Sequence, residues 1–345
     1  MKLSYSLILA AASCGLAFGA ATAYTTPVGY ETLTLTSGIN YAGLRLQEAV
    51  VVSGLLSNVT STTVSDSANT FALTTGKKYI LEINNSGYIQ LIDGSAASGH
   101  NITTPDNLLA VGVAAGNSYT IRPAATVVSV FGAVPANLAQ GSGGPGGADQ
   151  LYIPDATGDL KVYYYDNYGT FDVVNPGPGW YRVNPDQTVT LIANPSSITM
   201  PYDEGFIFSA AANTSLTVTG TVKTKATMLA VKSGINYVGS ICPVGATLVT
   251  TFGAVPSGLA QGSGGPGGAD QLYVANSAGV LKVYYYDNYG TFDVVNPGPG
   301  WYEVNADQTV TLINPSTITM SSGYVFSAAA AANVLANVPT AYSGL

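Results

Sequence analysis

Residues 150–165 read QLYIPDATGDLKVYYY, and residues 271–286 read QLYVANSAGVLKVYYY. They sit inside longer stretches, Phe131 to Ile192 and Phe252 to Ile313, which match at a constant shift of 121 with 10 mismatches over 62 aligned positions. Two near-copies imply two copies of one folding unit and disfavour a single buried active site built from the repeated residues. Within the quoted stretch, Gln150 to Ile153 and Leu160 to Tyr165 are β-branched and aromatic runs around the turn formers Pro154 to Asp159. With Thr170 to Val174 they form a meander, repeated at Gln271 to Val274, Leu281 to Tyr286 and Thr291 to Val295. Trp180 to Val183 with Thr188 to Ile192, and Trp301 to Val304 with Thr309 to Ile313, add two strands per copy. Seven or more short strands per unit predict an all-β fold of tandem repeated β-sandwich or partly closed barrel units, since either buries one face of each strand. Little helix is expected outside an N-terminal signal. The Ala-rich Ser209 to Asn213 and Ser327 to Asn333 are the only helix candidates, and both are short enough to be strand ends or loop.

The repeat extends beyond this core. Leu109-Ala110-Val111 corresponds to Leu229-Ala230-Val231, Ile121-Arg122-Pro123 to Ile241-Cys242-Pro243, and Phe206 to Ala210 to Tyr324 to Ala328. An older echo, Ser37-Gly38-Ile39-Asn40-Tyr41, matches Ser233-Gly234-Ile235-Asn236-Tyr237. The organisation read from these matches is a signal peptide at 1–23, a short diverged N-terminal β unit at 24–107, β repeat unit A at 108–220 and β repeat unit B at 221–345. Inside the first unit, Tyr79 to Ile83 and Tyr88 to Ile92 flank Asn84-Asn85-Ser86-Gly87, a hairpin signal because Asn and Gly accept the positive φ of tight turns.

Met1-Lys2 leads into the apolar stretch Leu3 to Phe18 and then Ala21-Thr22-Ala23, an A-x-A site for signal peptidase ahead of Tyr24. Export follows as the expectation, to the cell surface or extracellular space, with the periplasm as the other destination. Lipidation at Cys14 is a competing reading of the same segment, although Ala11-Ala12-Ser13 matches a lipobox poorly. No later run approaches the roughly 20 apolar residues that a membrane-spanning helix needs, so no transmembrane anchor is expected. Cleavage leaves Cys242 alone, which excludes an intrachain disulfide. Charged residues make up 9% of the chain, against about 25% in a typical soluble domain. The 11 basic residues, one of them Lys2, face 19 acidic ones. Nothing here clusters Lys and Arg as nucleic-acid binding requires.

The glycine loop Gly141 to Asp149, copied as Gly262 to Asp270, lacks the Gly-Lys-Ser/Thr ending and the following helix of a phosphate cradle, and reads as a strand connection. Asp166 to Asp172 and its copy Asp287 to Asp293 space oxygen ligands loosely, as in a calcium loop. Asp166, Asp172, Asp287 and Asp293 are therefore the candidate metal ligands, with calcium the possible cofactor and Asp149 and Asp186 as neighbours. A plain β-turn explains the same letters. No other cofactor is implied.

Tyrosine is in excess. Because side chains alternate faces along a strand, each Tyr triplet sends at least one ring toward solvent or a neighbouring unit. Tyr163, Tyr165, Tyr284 and Tyr286 are candidate interface residues. Trp180, Tyr181, Trp301 and Tyr302 are candidate ligand-binding residues, either core plugs or displayed rings that stack on sugars. His100, the only histidine, lies in a polar loop. Asp203-Glu204 is an adjacent acidic pair, of the residue type used in glycoside hydrolysis, but neighbours on an extended chain point apart and the other copy reads Ser321-Ser322. The inventory is that of a non-enzyme.

Thr26-Pro27-Val28-Gly29-Tyr30 leading into Thr32 to Leu35, the segment from Tyr119-Thr120-Ile121-Arg122-Pro123 to Phe131-Gly132, Gly147-Ala148-Asp149-Gln150 and the Tyr-rich strand before Trp180 together carry a resemblance. The chain resembles an uncharacterised family of secreted β-rich proteins expanded in Verrucomicrobia, over nearly its whole mature length. The resemblance implies export and a β-rich fold, and it brings no activity, ligand or catalytic residue. The expected role is that of a structural protein of the cell surface or extracellular matrix in adhesion or self-association. The alternative is a pair of carbohydrate-binding modules that bind a surface glycan through their Trp and Tyr platforms.

Overall fold

In the computed structural model, residues 28–168, 177–241, 245–289 and 298–342 are described. The fold is all-β, built of several separate antiparallel sheets, none of which closes into a barrel among the described residues. Two six-stranded sheets hold the duplicated stretches. The first orders its strands as Val189–Leu191, Gly179–Val183, Leu160–Asp166, Gln150–Pro154, Gly205–Ala210 and Gly38–Gly43. The second repeats that order with Val310–Leu312, Gly300–Val304, Leu281–Asp287, Gln271–Ala275, Gly323–Ala328 and Gly234–Gly239. The meander strands thus form where β-branched and aromatic runs predict them; Thr170 to Val174 and Thr291 to Val295 lie outside the described residues. The Ala-rich segments continue strands Gly205–Ala210 and Gly323–Ala328 and form no helix.

Helix appears instead where periodicity gives no warning. Helices α1 (Val127–Phe131) and α2 (Leu248–Phe252) are single turns, each started by a capping box in which Thr126 or Thr247 and the residue three on satisfy one another's backbone N–H. Five residues are too few to show a 3.6-residue pattern. The cap is the usable signal, with Ser129 or Thr250 in place of the usual Glu or Gln.

The sheets redraw the domain boundaries. Strand Gly38–Gly43 pairs with Gly205–Ala210 as Gly234–Gly239 pairs with Gly323–Ala328. Likewise, strand Val28–Leu35 pairs with Thr214–Val222 as Thr227–Val231 pairs with Ala332–Ala336. The Ser-Gly-Ile-Asn-Tyr echo is therefore unit A's own outermost strand and not the remnant of a separate 24–107 unit. Unit A comprises residues 28–47 and 124–222, and unit B runs from 227 to 336. Between the two segments of unit A, residues 48–123 form an inserted domain at a point that unit B bridges with residues 240–245.

The insertion has two four-stranded sheets, one of which contains the predicted hairpin as Lys78–Ile83 and Ile89–Asp93, and its own core around Leu81, Ile83, Ile102 and Tyr119. Leu108–Val111 is a 3-10 turn of this domain, so its match to Leu229-Ala230-Val231 is not structural. Sequence alone hides the insertion because the split strand carries only five matching letters.

Units A and B share one core, which includes Leu151, Trp180, Phe208, Leu272, Trp301 and Phe326. They meet through four glycines in a reciprocal pattern. A Cβ on Gly43 would lie 2.4 Å from the Ser322 carbonyl oxygen, and one on Gly239 2.4 Å from that of Tyr202 and 2.9 Å from that of Glu204. One on Gly205 would lie 2.7 Å from the Val238 oxygen, and one on Gly323 2.3 Å from that of Ala42. Ala42 and Val238, and Glu204 and Ser322, are equivalent positions of the two units. Each surface meets its own counterpart, the self-complementary arrangement of a two-fold dimer fused into one chain. A backbone bond from Gly239 N–H of unit B to the Asp203 carbonyl of unit A (3.0 Å) joins the units.

Candidate functional site

The aromatic residues singled out in the sequence are buried. Trp180 and Trp301 are each 1% exposed, and each donates its indole N–H to a carbonyl at the end of the capped helix, Gly132 or Gly253, at 3.1 Å. Tyr165 and Tyr286 meet them edge to face at 5.8 Å. On the opposite face of the sheet Tyr164 stacks on Tyr181, and Tyr285 on Tyr302, at 5.7 Å. The Tyr181 and Tyr302 hydroxyls donate to Gly177 and Gly298 carbonyls. Strand alternation does send the rings to both faces, as expected, but both faces are covered. Trp180, Tyr181, Trp301 and Tyr302 therefore form no open stacking platform.

The cover over the second face is the glycine loop. Ala148 packs on Tyr164 and Tyr181, and Ala269 on Tyr285 and Tyr302. A Cβ on Gly141 or Gly262 would lie 2.9 Å from the tyrosine ring beneath, so the close approach requires glycine there. The interface candidates are likewise internal: Tyr165, Tyr284 and Tyr286 are buried and Tyr163 is half-buried. The unit-to-unit contact belongs to the glycines, because only a residue without a side chain lets two backbones come that close.

The candidate metal ligands hold this loop. Asp166, fully buried, accepts from Gly143 N–H (3.2 Å) and Tyr168 N–H (2.8 Å); Asp287 does the same for Gly264 and Tyr289. Asp149 accepts from Ala139 N–H (2.8 Å) and Ala211 N–H (2.7 Å). These carboxylates accept from backbone N–H groups of the surrounding loops and so tie the loops to the sheet. Asp172 and Asp293 lie outside the described residues. Among the described residues no group of three or more His, Cys, Asp or Glu converges to hold a metal ion. His100 places Nδ1 2.7 Å from the Asn69 carbonyl and 3.1 Å from that of Asp66, the position of a donor tying a loop.

What the sequence does not reveal is a pair of clefts related by the unit-to-unit symmetry, each about 250 Å³. The first lies between the Asp155 to Asp159 turn of unit A and residues Leu229 to Val238 of unit B, with Asp203 and Glu204 in its wall. Its mate is lined by Glu31 to Thr36, Ile39 to Tyr41 and Arg45 of unit A and Ala275 to Gly279, Ser321 and Ser322 of unit B. Asp203 and Glu204 thus line one cleft despite being sequence neighbours. Burial raises the Asp203 carboxyl to about 6, and burial together with the nearby Asp203 charge raises Glu204 to about 8.

Ordinary values are 3.8 and 4.5, so the folded chain holds protons that the unfolded chain has released. That contribution to stability is complete below the unfolded values and is lost as pH rises through the folded ones. The denaturant midpoint should therefore fall between pH 5 and pH 8, and Asp203→Asn with Glu204→Gln should flatten the fall. Equal pH slopes in the two proteins would show that the pair does not titrate in this way.

A buried ionic network joins the inserted domain to unit A. Glu82, 2% exposed, accepts from Lys223, 3% exposed, and pairs with Arg122 at 3.5 Å. Arg122 also donates to the Glu48 carbonyl (3.2 Å) and Thr221 Oγ1 (3.3 Å), and the Lys223 ammonium lies 5.3 Å from the Tyr202 ring centre. Burial lowers the Lys223 pKa. These charges are distant in sequence, and only the packing of the insertion on the repeat brings them together.

No family model, no curated protein and no solved structure matches the chain. Fold and geometry define it as an all-β protein of two fused, symmetry-related repeat units, one of them interrupted by a β domain. Among the described residues no helix is long and apolar enough to cross a membrane.

Proposed function

We propose that the chain is an exported, non-enzymatic β-repeat protein of the cell surface or extracellular matrix that acts in adhesion or self-association. The observation that best supports this reading is the surface the two units share. Val134 and Val255, Ile39 and Ile235, Leu191 and Leu312, and Tyr168 and Tyr289 are exposed apolar pairs at equivalent positions. The Asp149, Asp166 and Asp287 carboxylates and the Trp180 and Trp301 rings are meanwhile occupied in holding loops and cores. A weakly charged surface that shows the same apolar groups twice engages a repeating partner with avidity and no new contact. The carbohydrate-binding alternative loses its stacking surface to the burial of Trp180 and Trp301.

Light scattering and negative-stain microscopy of the mature chain, with and without calcium, test the reading. Ordered oligomers, fibres or attachment to cells are expected. A strict monomer in both conditions that binds neither cells nor surfaces would overturn it.

A further inference from the structure

We propose that the outer edge of strand Val28–Leu35 is where a second copy of this chain pairs, antiparallel and edge to edge. The inference rests on the self-association reading and names its surface. This strand is the outer member of a three-stranded sheet whose centre is Thr214–Val222. All eight of its residues pair inward, from Val28 with Thr221 to Leu35 with Thr214. Among the described residues, no backbone hydrogen bond reaches its other side.

The same molecule shows what covers the equivalent edge. In unit B the matching strand, Thr227–Val231, receives the inserted domain: Met228 N–H donates to the Gly87 carbonyl at 2.8 Å. A Cβ on Gly87 would lie 2.8 Å from the Ala226 oxygen and 3.0 Å from Met228 N, so this turn lies flush against the strand. Thr32 occupies the place of Met228, five residues before Ser-Gly-Ile-Asn-Tyr in both units. The insertion thus caps one of two symmetry-related edges, and among the described residues no backbone group pairs with the other. Consecutive residues Glu31 to Thr36 line the adjoining cleft. A sheet face would contribute alternate residues, so the cleft is met by the strand's edge.

The edge suits a copy of itself. Edge strands are ordinarily blunted by lysine, proline or a bulge, and Val28–Leu35 carries neither lysine nor proline. Its one charge, Glu31, is paired with Arg45 at 3.1 Å, which removes like-charge repulsion from a symmetric contact. Because Met228 N–H points outward, the equivalent Thr32 N–H does too, and with it those of Tyr30 and Thr34. A pairing centred on Thr32 sets Thr32 against Thr32 of the partner subunit and Tyr30, 78% exposed, against Thr34 of the partner subunit. Aromatic and β-branched side chains placed opposite one another stabilise such a pair.

The test uses the full mature chain. In a Cys242→Ser background, Thr32→Cys should give a disulfide-linked dimer under mild oxidation. Residues in a hydrogen-bonded antiparallel pair lie about 5.5 Å apart, within disulfide reach. Thr219→Cys, one strand further in, should not cross-link. Tyr30→Lys with Thr32→Lys should reduce the wild-type oligomer to monomer with unchanged tryptophan fluorescence. If that variant fails to fold, the cross-link decides. Persistent assembly of the lysine variant, or no Thr32→Cys cross-link in a chain that still assembles, would overturn the edge while leaving self-association standing. A wild type that stays monomeric at about millimolar concentration would end both.

Discussion

Replacing Gly239 by alanine should destabilise the joined repeat units by about 3 kcal/mol, near the upper end of typical overpacking costs. The added methyl would sit 2.4 Å from the Tyr202 carbonyl oxygen and 2.9 Å from that of Glu204. Both obstacles are backbone atoms of unit A, so no rotamer change makes room. The opposing gain, from stiffening the unfolded chain, is only about 0.4–1 kcal/mol. Both tryptophans lie in the shared core, so their fluorescence during denaturation reports on these units. Gly146→Ala is the matched control, because its Cβ would meet nothing within 4 Å. Equal midpoints for the two variants would mean that the units do not pack through these glycines.

Glu82→Gln should cost about 3–5 kcal/mol, the usual penalty for removing one partner from a buried ion pair. It should exceed the cost of Lys223→Met, and the order follows from charge. Glu82 serves two cations, Lys223 and Arg122, so its loss leaves two buried positive charges together. Loss of Lys223 leaves Glu82 and Arg122 as a neutral pair. Urea titration of the two variants at one pH measures the difference. If Lys223→Met proved the more damaging, the neutral pair with Arg122 would be the wrong account of what remains.

The repeats were legible because duplication writes the same strand chemistry twice. The Val, Tyr and Trp runs around Pro154 to Asp159 and their copies foretold the meanders, and Asn84 to Gly87 foretold its hairpin. The choice between core plug and displayed ring at Trp180, Tyr181, Trp301 and Tyr302 is not legible in the sequence, because the tyrosine triplet fixes only which rings lie on which face. It cannot say that Gly141 to Asp149 folds back over one of them.

The sequence by itself determined the all-β class, the two near-identical units and the turn positions, because these depend on local propensity and on repetition along the chain. Only the tertiary structure decided that Gly38–Gly43 completes unit A across an inserted domain. It also decided that the units meet two-fold through glycines, and that Glu82, Arg122 and Lys223 neutralise one another. Those outcomes depend on contacts between residues far apart in the chain, for which the order of letters carries no local signal.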